Sequence, residues 1–193
     1  MAKVGISNLH YAIMSAEDTA SANPTYGTIK KPTVGMVSVD LQVTNNKVDL
    51  YADNILWATE SVFAGCDLSS DIAELPMDFQ ADVLGHAFDS TEKTLIKKSD
   101  DVAPYCAIGF EFLMDNGKKL CVWMYKGKFA EPQQTGQTRG ENTEYQTNTI
   151  TASFAGLKGA GTNKGRWQYC KEFDADASTD SFYASIPLAE VNP

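Results

Sequence analysis

The side chains able to do chemistry are few and scattered. In 193 residues there are two histidines, His10 and His86, and four cysteines, Cys66, Cys106, Cys121 and Cys170. The cysteines never form C-x-x-C and lie in strand-like or small-residue settings, where a thiol packs as a small hydrophobe, so they read as reduced. Structural zinc needs clustered Cys and His, and no such cluster exists. Asp78 and Asp82 fall on one side of a short helical pattern and have the spacing of a carboxylate pair. No base or nucleophile stands near them in sequence, so they read as an ordinary charged face. His86 follows a stop glycine and reads as a capping or surface side chain; His10 falls on the polar face of a strand. Residues 156–165, GLKGAGTNKG, invite a phosphate-loop reading that fails in detail. A Walker loop needs G-x-x-x-x-G-K-[ST], whereas Lys164 precedes Gly165 and no helical pattern follows. The segment reads as a flexible turn between two antiparallel strands. There is no G-x-S-x-G, H-E-x-x-H or dinucleotide fingerprint. The expectation is a non-enzyme with no catalytic, cofactor-binding or metal residues.

The elements that carry these residues are strands. Residues 103–132 read as a β-hairpin and the start of a further strand, turned at Asn116-Gly117, the dipeptide best suited to a two-residue type I′ turn. With Asp115 facing Lys118, Phe110 lies opposite Trp123, Phe112 opposite Cys121 and Ile108 opposite Tyr125, which gathers the aromatics on one face. The other face, with Leu113 opposite Leu120 and Glu111 opposite Val122, is half apolar and also calls for a cover, by a helix or another subunit. Residues 6–14 alternate as a strand with a polar outer face. Residues 34–43 and 47–52 alternate around Asn45-Asn46 as a second hairpin.

From Leu75 to Gly85 the stripe Leu75, Phe79, Val83, Leu84 has helical spacing, with Pro76 in the first turn and Gly85 as the stop. Residues 94–98 and 166–173 read as strands. Residues 147–155 alternate strictly, with the hydroxyls Thr147, Thr149, Thr151 and Ser153 on one face and Asn148, Ile150, Ala152 and Phe154 on the other. Three segments read as extended: a polar arm at 15–33, a long inter-strand loop at about 53–74, and a C-terminal extension at 174–193 whose Phe182 and Tyr183 either dock on a neighbour or pack on their own chain. Residues 133–146 are too poor in apolar side chains to pack and read as a mobile loop. The fold class expected is mainly β, a β-sandwich or partly closed barrel of antiparallel strands with one short flanking helix, in a single domain over 1–193.

The formal charge is −9, from 25 acidic and 16 basic residues, and the arginines are Arg139 and Arg166. Gripping nucleic acid requires neutralising phosphates with Lys and Arg, so this balance argues against it. An acidic wall does suit a polyanion that must slide past. The opening MAKVGISNLHYAIM lacks the apolar run of a signal peptide or membrane span, which leads to the expectation of a cytosolic product.

The order A-P-Y-C-A-I-G-F (103–110), W-M-Y-K-G-K-F (123–129), Pro132, T-R-G-E (138–141) and Q-T-N-T-I (146–150), with L-Y-A-D-N (50–54) and N-L-H-Y-A (8–12), resembles the major tail proteins of long-tailed bacteriophages of the phi-thirteen type. The resemblance covers most of the chain up to Phe173. It implies a tail-tube subunit, a β-sandwich with a flanking helix that forms hexameric rings stacked into a hollow conduit for DNA delivery into the host. The implied partners are further copies of the chain, a tape-measure protein, and tail-tip and terminator proteins, with phage DNA passing unbound and no membrane. The implied location is the virion, after assembly in the host bacterial cytoplasm. On this reading strands within 34–52 and 147–154 supply the lumen wall, with Thr147, Thr149, Thr151 and Ser153 facing the lumen, and Asp53, Asn54, Trp57, Phe63, Phe182 and Tyr183 make subunit or ring contacts. Within the assembly reading the inner tube of a contractile tail or a phage-derived bacteriocin is an alternative, and two other classes stay open: a small-ligand-binding β-barrel with its chamber among Phe110, Phe112, Trp123 and Tyr125, and a hydrolase whose site is assembled from distant positions.

Overall fold

A computed structural model describes residues 2–134, 136, 138, 146–159 and 161–188. The chain is mainly β. Its strands are β1 (Lys3–Ala16), β2 (Thr25–Tyr26), β3 (Met36–Ala52), β4 (Ile55–Ile72), β5 (Ala87–Asp89), β6 (Thr94–Ile96), β7 (Cys106–Met114), β8 (Lys119–Ala130), β9 (Asn148–Ala155) and β10 (Gln168–Phe173). Two short helices, α1 (Met77–Leu84) and α2 (Asp180–Tyr183), accompany them. The main sheet runs β2-β1-β7-β8-β9-β4-β3, and β5 and β6 pair separately. Every strand pairing is antiparallel. β1 and β3 approach each other from opposite ends of that order, so the sheet curls over its contents.

The sheet is buried on both faces around β7 and β8, and this creates two cores. The first holds Leu9, Tyr11, Ile108, Phe110, Phe112, Val122 and Met124 with Leu68, Ile150, Ala152 and Phe154 from the β4/β9 side. Helix α1 packs into it through Phe79, Val83 and Leu84. That helix forms as its sequence predicts. Pro76 enters extended, and Gly85 leaves in the left-handed region at φ 78, its N–H donating to the Ala81 carbonyl at 2.9 Å. A side chain at Gly85 would meet the Val102 carbonyl, so the stop is both conformational and steric. The second core joins Ala107, Cys121 and Trp123 to Phe182 and Tyr183 of the C-terminal segment.

The central hairpin is shifted by one residue from the expected register. Only Gly117 of the Asn116-Gly117 pair has positive φ, and Met114 and Lys118 close a three-residue loop through the Met114 amide and the Lys118 carbonyl at 2.9 Å. Phe110 therefore faces Val122, Phe112 faces Leu120, Ile108 faces Met124 and Trp123 faces Gly109. Asn-Gly serves a three-residue turn with a glycine bulge as well as a two-residue one, and a slip of one residue exchanges faces. The aromatics are consequently divided. Phe110 and Phe112 go to the first core, while Trp123 lies on the other side over Gly109, where an added Cβ would sit 3.0 Å from both its ring and the Tyr183 ring.

Four other segments depart from expectation. β3 is one strand through Asn45-Asn46, and its hairpin turns at Asp53-Asn54, with φ of 52° and 63° suited to a type I′ turn. The residues expected as a loop at about 53–74 are instead the 18-residue strand β4. The segment 15–33 is folded down onto the domain. β2 pairs with β1, Tyr11 and Lys30 exchange two backbone hydrogen bonds, and the Tyr26 hydroxyl donates to the Tyr125 carbonyl at 2.9 Å. Residues 156–167 do not join a hairpin, because β9 and β10 both lie along β8, β10 beside Lys119 to Met124 and β9 beside Lys126 to Ala130. Most of the loop expected at 133–146 lies outside the described residues.

Candidate assembly surfaces

Alternation on β9 comes out as a hydroxyl row. Thr147, Thr149, Thr151 and Ser153 are all exposed, while Ile150, Ala152 and Phe154 are buried beneath them. Antiparallel pairing lines this row up with Asp71, Ser69 and Asp67 of β4, and those in turn with Ser38, Asp40 and Gln42 of β3. Thr149 and Ser153 donate to Asp71 and Asp67, each at 2.6 Å, and Ser38 donates to Asp71 at 2.9 Å. The two hydroxyl donors hold the Asp71 carboxyl below the usual carboxylate range. The result is a face of three strands that is polar, acidic and internally bonded. Lys128 borders it from β8, with its ammonium over the Tyr105 ring at 4.5 Å.

The distal half of the β3/β4 hairpin is a bare arm. Val48, Leu50, Tyr51, Ile55, Leu56, Trp57 and Val62 are all exposed, Trp57 and Tyr51 to 66%. Among the described residues nothing but β3 pairs with β4 on the tip side of Cys66. Polar pairs hold the register: Thr59 donates to Asp49 at 2.7 Å and Lys47 meets Asp49 at 3.0 Å. A lone two-stranded ribbon is marginally stable in water, and contiguous exposed apolar side chains mark contact surfaces. Asp53 and Asn54 form the tip, and Trp57 stands beside it, unmatched at a register shift where Tyr51 pairs with Leu56. Phe63 is elsewhere: it is at the arm's base, half-buried, stacked on Trp167 with ring centroids 5.2 Å apart.

Phe182 and Tyr183 do not reach outward as expected of them. They are buried on their own chain. The Trp123 indole donates to the Phe182 carbonyl at 3.2 Å, and Phe182 contacts the rings of Tyr169 and Phe173. Covering the half-apolar outer face of β7 and β8 from within the same chain removes more apolar area than leaving both partners wet. Sequence alone could not pair these residues, since 59 positions separate Phe182 from Trp123.

The scattered reactive groups are absorbed by structure. Asp82 accepts from the Tyr11 hydroxyl at 2.6 Å and from Lys30 at 2.5 Å, and Asp78 caps the Phe79 amide at 2.9 Å, so the pair is spent on local bonds. His10 is not a free surface group: it stacks on Tyr183 at 4.3 Å, and burial lowers its pKa. His86 is neither cap nor surface residue, being held between Asp101 and Glu131. Burial pushes the Cys106 thiol up to about 12 and raises Cys66 and Cys121 as well, the signature of packed, unreactive sulfur. Among the described residues no group of His, Cys, Asp and Glu has the geometry to hold a metal. Phe110 and Phe112 are divided from Trp123 by the sheet itself, so they do not enclose a common chamber.

Beyond Asp53, Asn54 and Trp57, the exposed apolar residues of the arm are not legible in the sequence because their alternation breaks. β4 carries an unmatched residue at Ala64 and another at Trp57, and each reverses the phase of the strand. The Asp53-Asn54 turn was the available signal. No family model and no curated protein matches this chain.

Proposed function

We propose that the chain is a structural subunit of a phage tail tube, which self-assembles into stacked hexameric rings around a conduit for DNA. The observation that carries the reading is the β3/β4 arm, an ordered ribbon whose apolar side chains are exposed and have no partner among the described residues. Burying one large apolar side chain contributes about 1.5–3 kcal/mol. Four such residues, Tyr51, Leu56, Trp57 and Leu50, give roughly 6–12 kcal/mol gross, against an association cost of roughly 4–15 kcal/mol. One arm contact is thus close to break-even. A ring presenting several arms at once makes each further contact effectively intramolecular, so assembly is expected to be concentration-dependent and cooperative.

Two further features support the reading. β3 and β10 leave open sheet edges that neighbouring copies in a closed ring would satisfy. The hydroxyl and aspartate face is suited to a lumen wall, because it offers DNA no cationic row to hold. Location in the virion, and tape-measure, tail-tip and terminator proteins as partners, follow from the same proposal. Among the described residues no helix is long and apolar enough to cross a membrane.

Electron microscopy of concentrated protein in negative stain tests the proposal. Uniform hollow tubes are expected from the native chain and dispersed particles from Trp57→Ala with Leu56→Ala. Dispersed particles of the native protein at every concentration would refute it.

A further inference from the structure

His86 carries a device that the assembly reading does not use. Its side chain is only 4% exposed, Nδ1 lies 2.7 Å from an Asp101 carboxylate oxygen, and Nε2 lies 2.5 Å from a Glu131 carboxylate oxygen. A neutral imidazole has one N–H and can donate to one of these acceptors, whereas an imidazolium donates to both. The three groups come from three places: His86 directly follows the stop of α1, Asp101 lies between β6 and β7, and Glu131 directly follows β8. The remaining charges around them are accounted for. Lys97 pairs with Glu131 at 3.0 Å, the Lys98 amide donates to Asp101 at 2.8 Å, and Lys30, Glu74, Asp78, Asp82 and Lys93 line the adjoining cleft, with Lys30 paired to Asp82.

We propose that His86 is a proton-operated clasp, in which the imidazolium bridges Asp101 and Glu131 and pins the flap of residues 87–105 to the end of β8, and in which loss of one ring proton lets the flap go. The flap is anchored at its ends, where β5 meets α1 and the Tyr105 carbonyl accepts from the Met14 amide at 2.8 Å; between them its regular structure is the pair of three-residue strands β5 and β6, which stand apart from the main sheet and are tied toward β8 by the His86 bridge and the Lys97–Glu131 pair. With the ring neutral, one of the two carboxylates faces a lone pair and the two anions stand on either side of an uncharged group. Both changes oppose closure.

The sign follows from which form is bonded. Closure is complete where the imidazole is protonated, with both N–H groups donating, and weakens where the ring has given up a proton. At the acid end the carboxylates must stay ionised. The Lys98 amide and then His86 hold Asp101 below its usual range, and for Glu131 the upward push of burial is outweighed by Lys97 and His86. Acid therefore releases the clasp only below the ordinary carboxylate range.

Amide hydrogen exchange of the whole protein at pH 5.5 and pH 8.5, corrected for the intrinsic pH dependence, tests this. Protection of flap amides is expected to fall roughly tenfold at the higher pH, the loss of one charge-assisted hydrogen bond, while amides of β7 and β8 hold. In Glu131→Gln and in His86→Gln the flap should be weakly protected at both pH values. The native protein also gives an answer independent of any variant: at pH 5.5 the two ring nitrogens of His86 should both show the ¹⁵N shift of a protonated imidazole. A neutral tautomer there, or flap exchange that does not change with pH, overturns the proposal.

Discussion

Replacing Phe182 by alanine is expected to unlatch the second core. The ring packs against Tyr169, Phe173 and Tyr183 at centroid distances of 5.9, 5.8 and 5.1 Å, and its carbonyl receives the Trp123 indole N–H. Truncation removes the three ring contacts, though not the carbonyl, and loosens a helix of four residues that has little stability of its own. Buried Phe→Ala changes cost about 3–5 kcal/mol. Phe182 sits at the sheet's outer cover, where the segment can partly relax, so a loss of about 3 kcal/mol is expected, against a total stability of roughly 5–15 kcal/mol. With a urea m-value of about 2 kcal/mol/M, the midpoint falls by about 1.5 M. The assay is urea denaturation in dilute protein, followed by tryptophan emission, since Trp123 loses its cover and shifts to the red. Trp57→Ala on the exposed arm should leave the midpoint within about 0.3 M of native. If Phe182→Ala leaves the dilute midpoint unchanged, the cover is not made within the chain and the division into two cores is wrong.

Two further outcomes follow from the polar contacts. Asp18 is fully buried, bonded to Lys126 and to the Lys158 amide. Burial alone would push its carboxyl up, but Lys126 and the amide hold it below its ordinary value. Its contribution is therefore present above the pH at which an unfolded aspartate titrates and is lost as the pH falls through the lowered native value. Asp18→Ala should cost about 3 kcal/mol at neutral pH, the low end for breaking a buried pair because Lys126 keeps the exposed Glu17 at 3.6 Å, and adding Lys126→Met should recover most of it, both read by urea denaturation. On the acidic face, Asp40→Lys with Asp67→Lys should give tubes that retain DNA in low salt and release it as salt rises, measured by co-sedimentation; native tubes should retain none.

Legibility in the sequence followed how strictly packing enforces a pattern. β9 was readable because its buried residues Ile150, Ala152 and Phe154 face the first core and its hydroxyls face out, so the two-residue period survives intact. The helix was readable because the stripe, Pro76 and Gly85 agree. The central turn was located correctly but its register slipped, since Asn116-Gly117 suits loops of two or three residues and only the wider pairing decides between them. The arm was hidden for the opposite reason to β9. Among the described residues nothing buries Val48, Leu50 or Tyr51, so no alternation is enforced there, and two register shifts scramble what remains. The contacts of Phe182 with Trp123 and of His86 with Glu131 join positions 59 and 45 residues apart, and no local pattern encodes either.

The central claim is that the β3/β4 arm docks on another copy of the chain. Hydrogen exchange measured on the same protein as dilute subunit and as sedimented assembly tests it most directly. Amides of residues 46–62 are expected to exchange rapidly in the subunit and to become strongly protected in the assembly, while the buried amides of β7 and β8 are protected in both. Assemblies in which residues 46–62 exchange as fast as in the free subunit would contradict it.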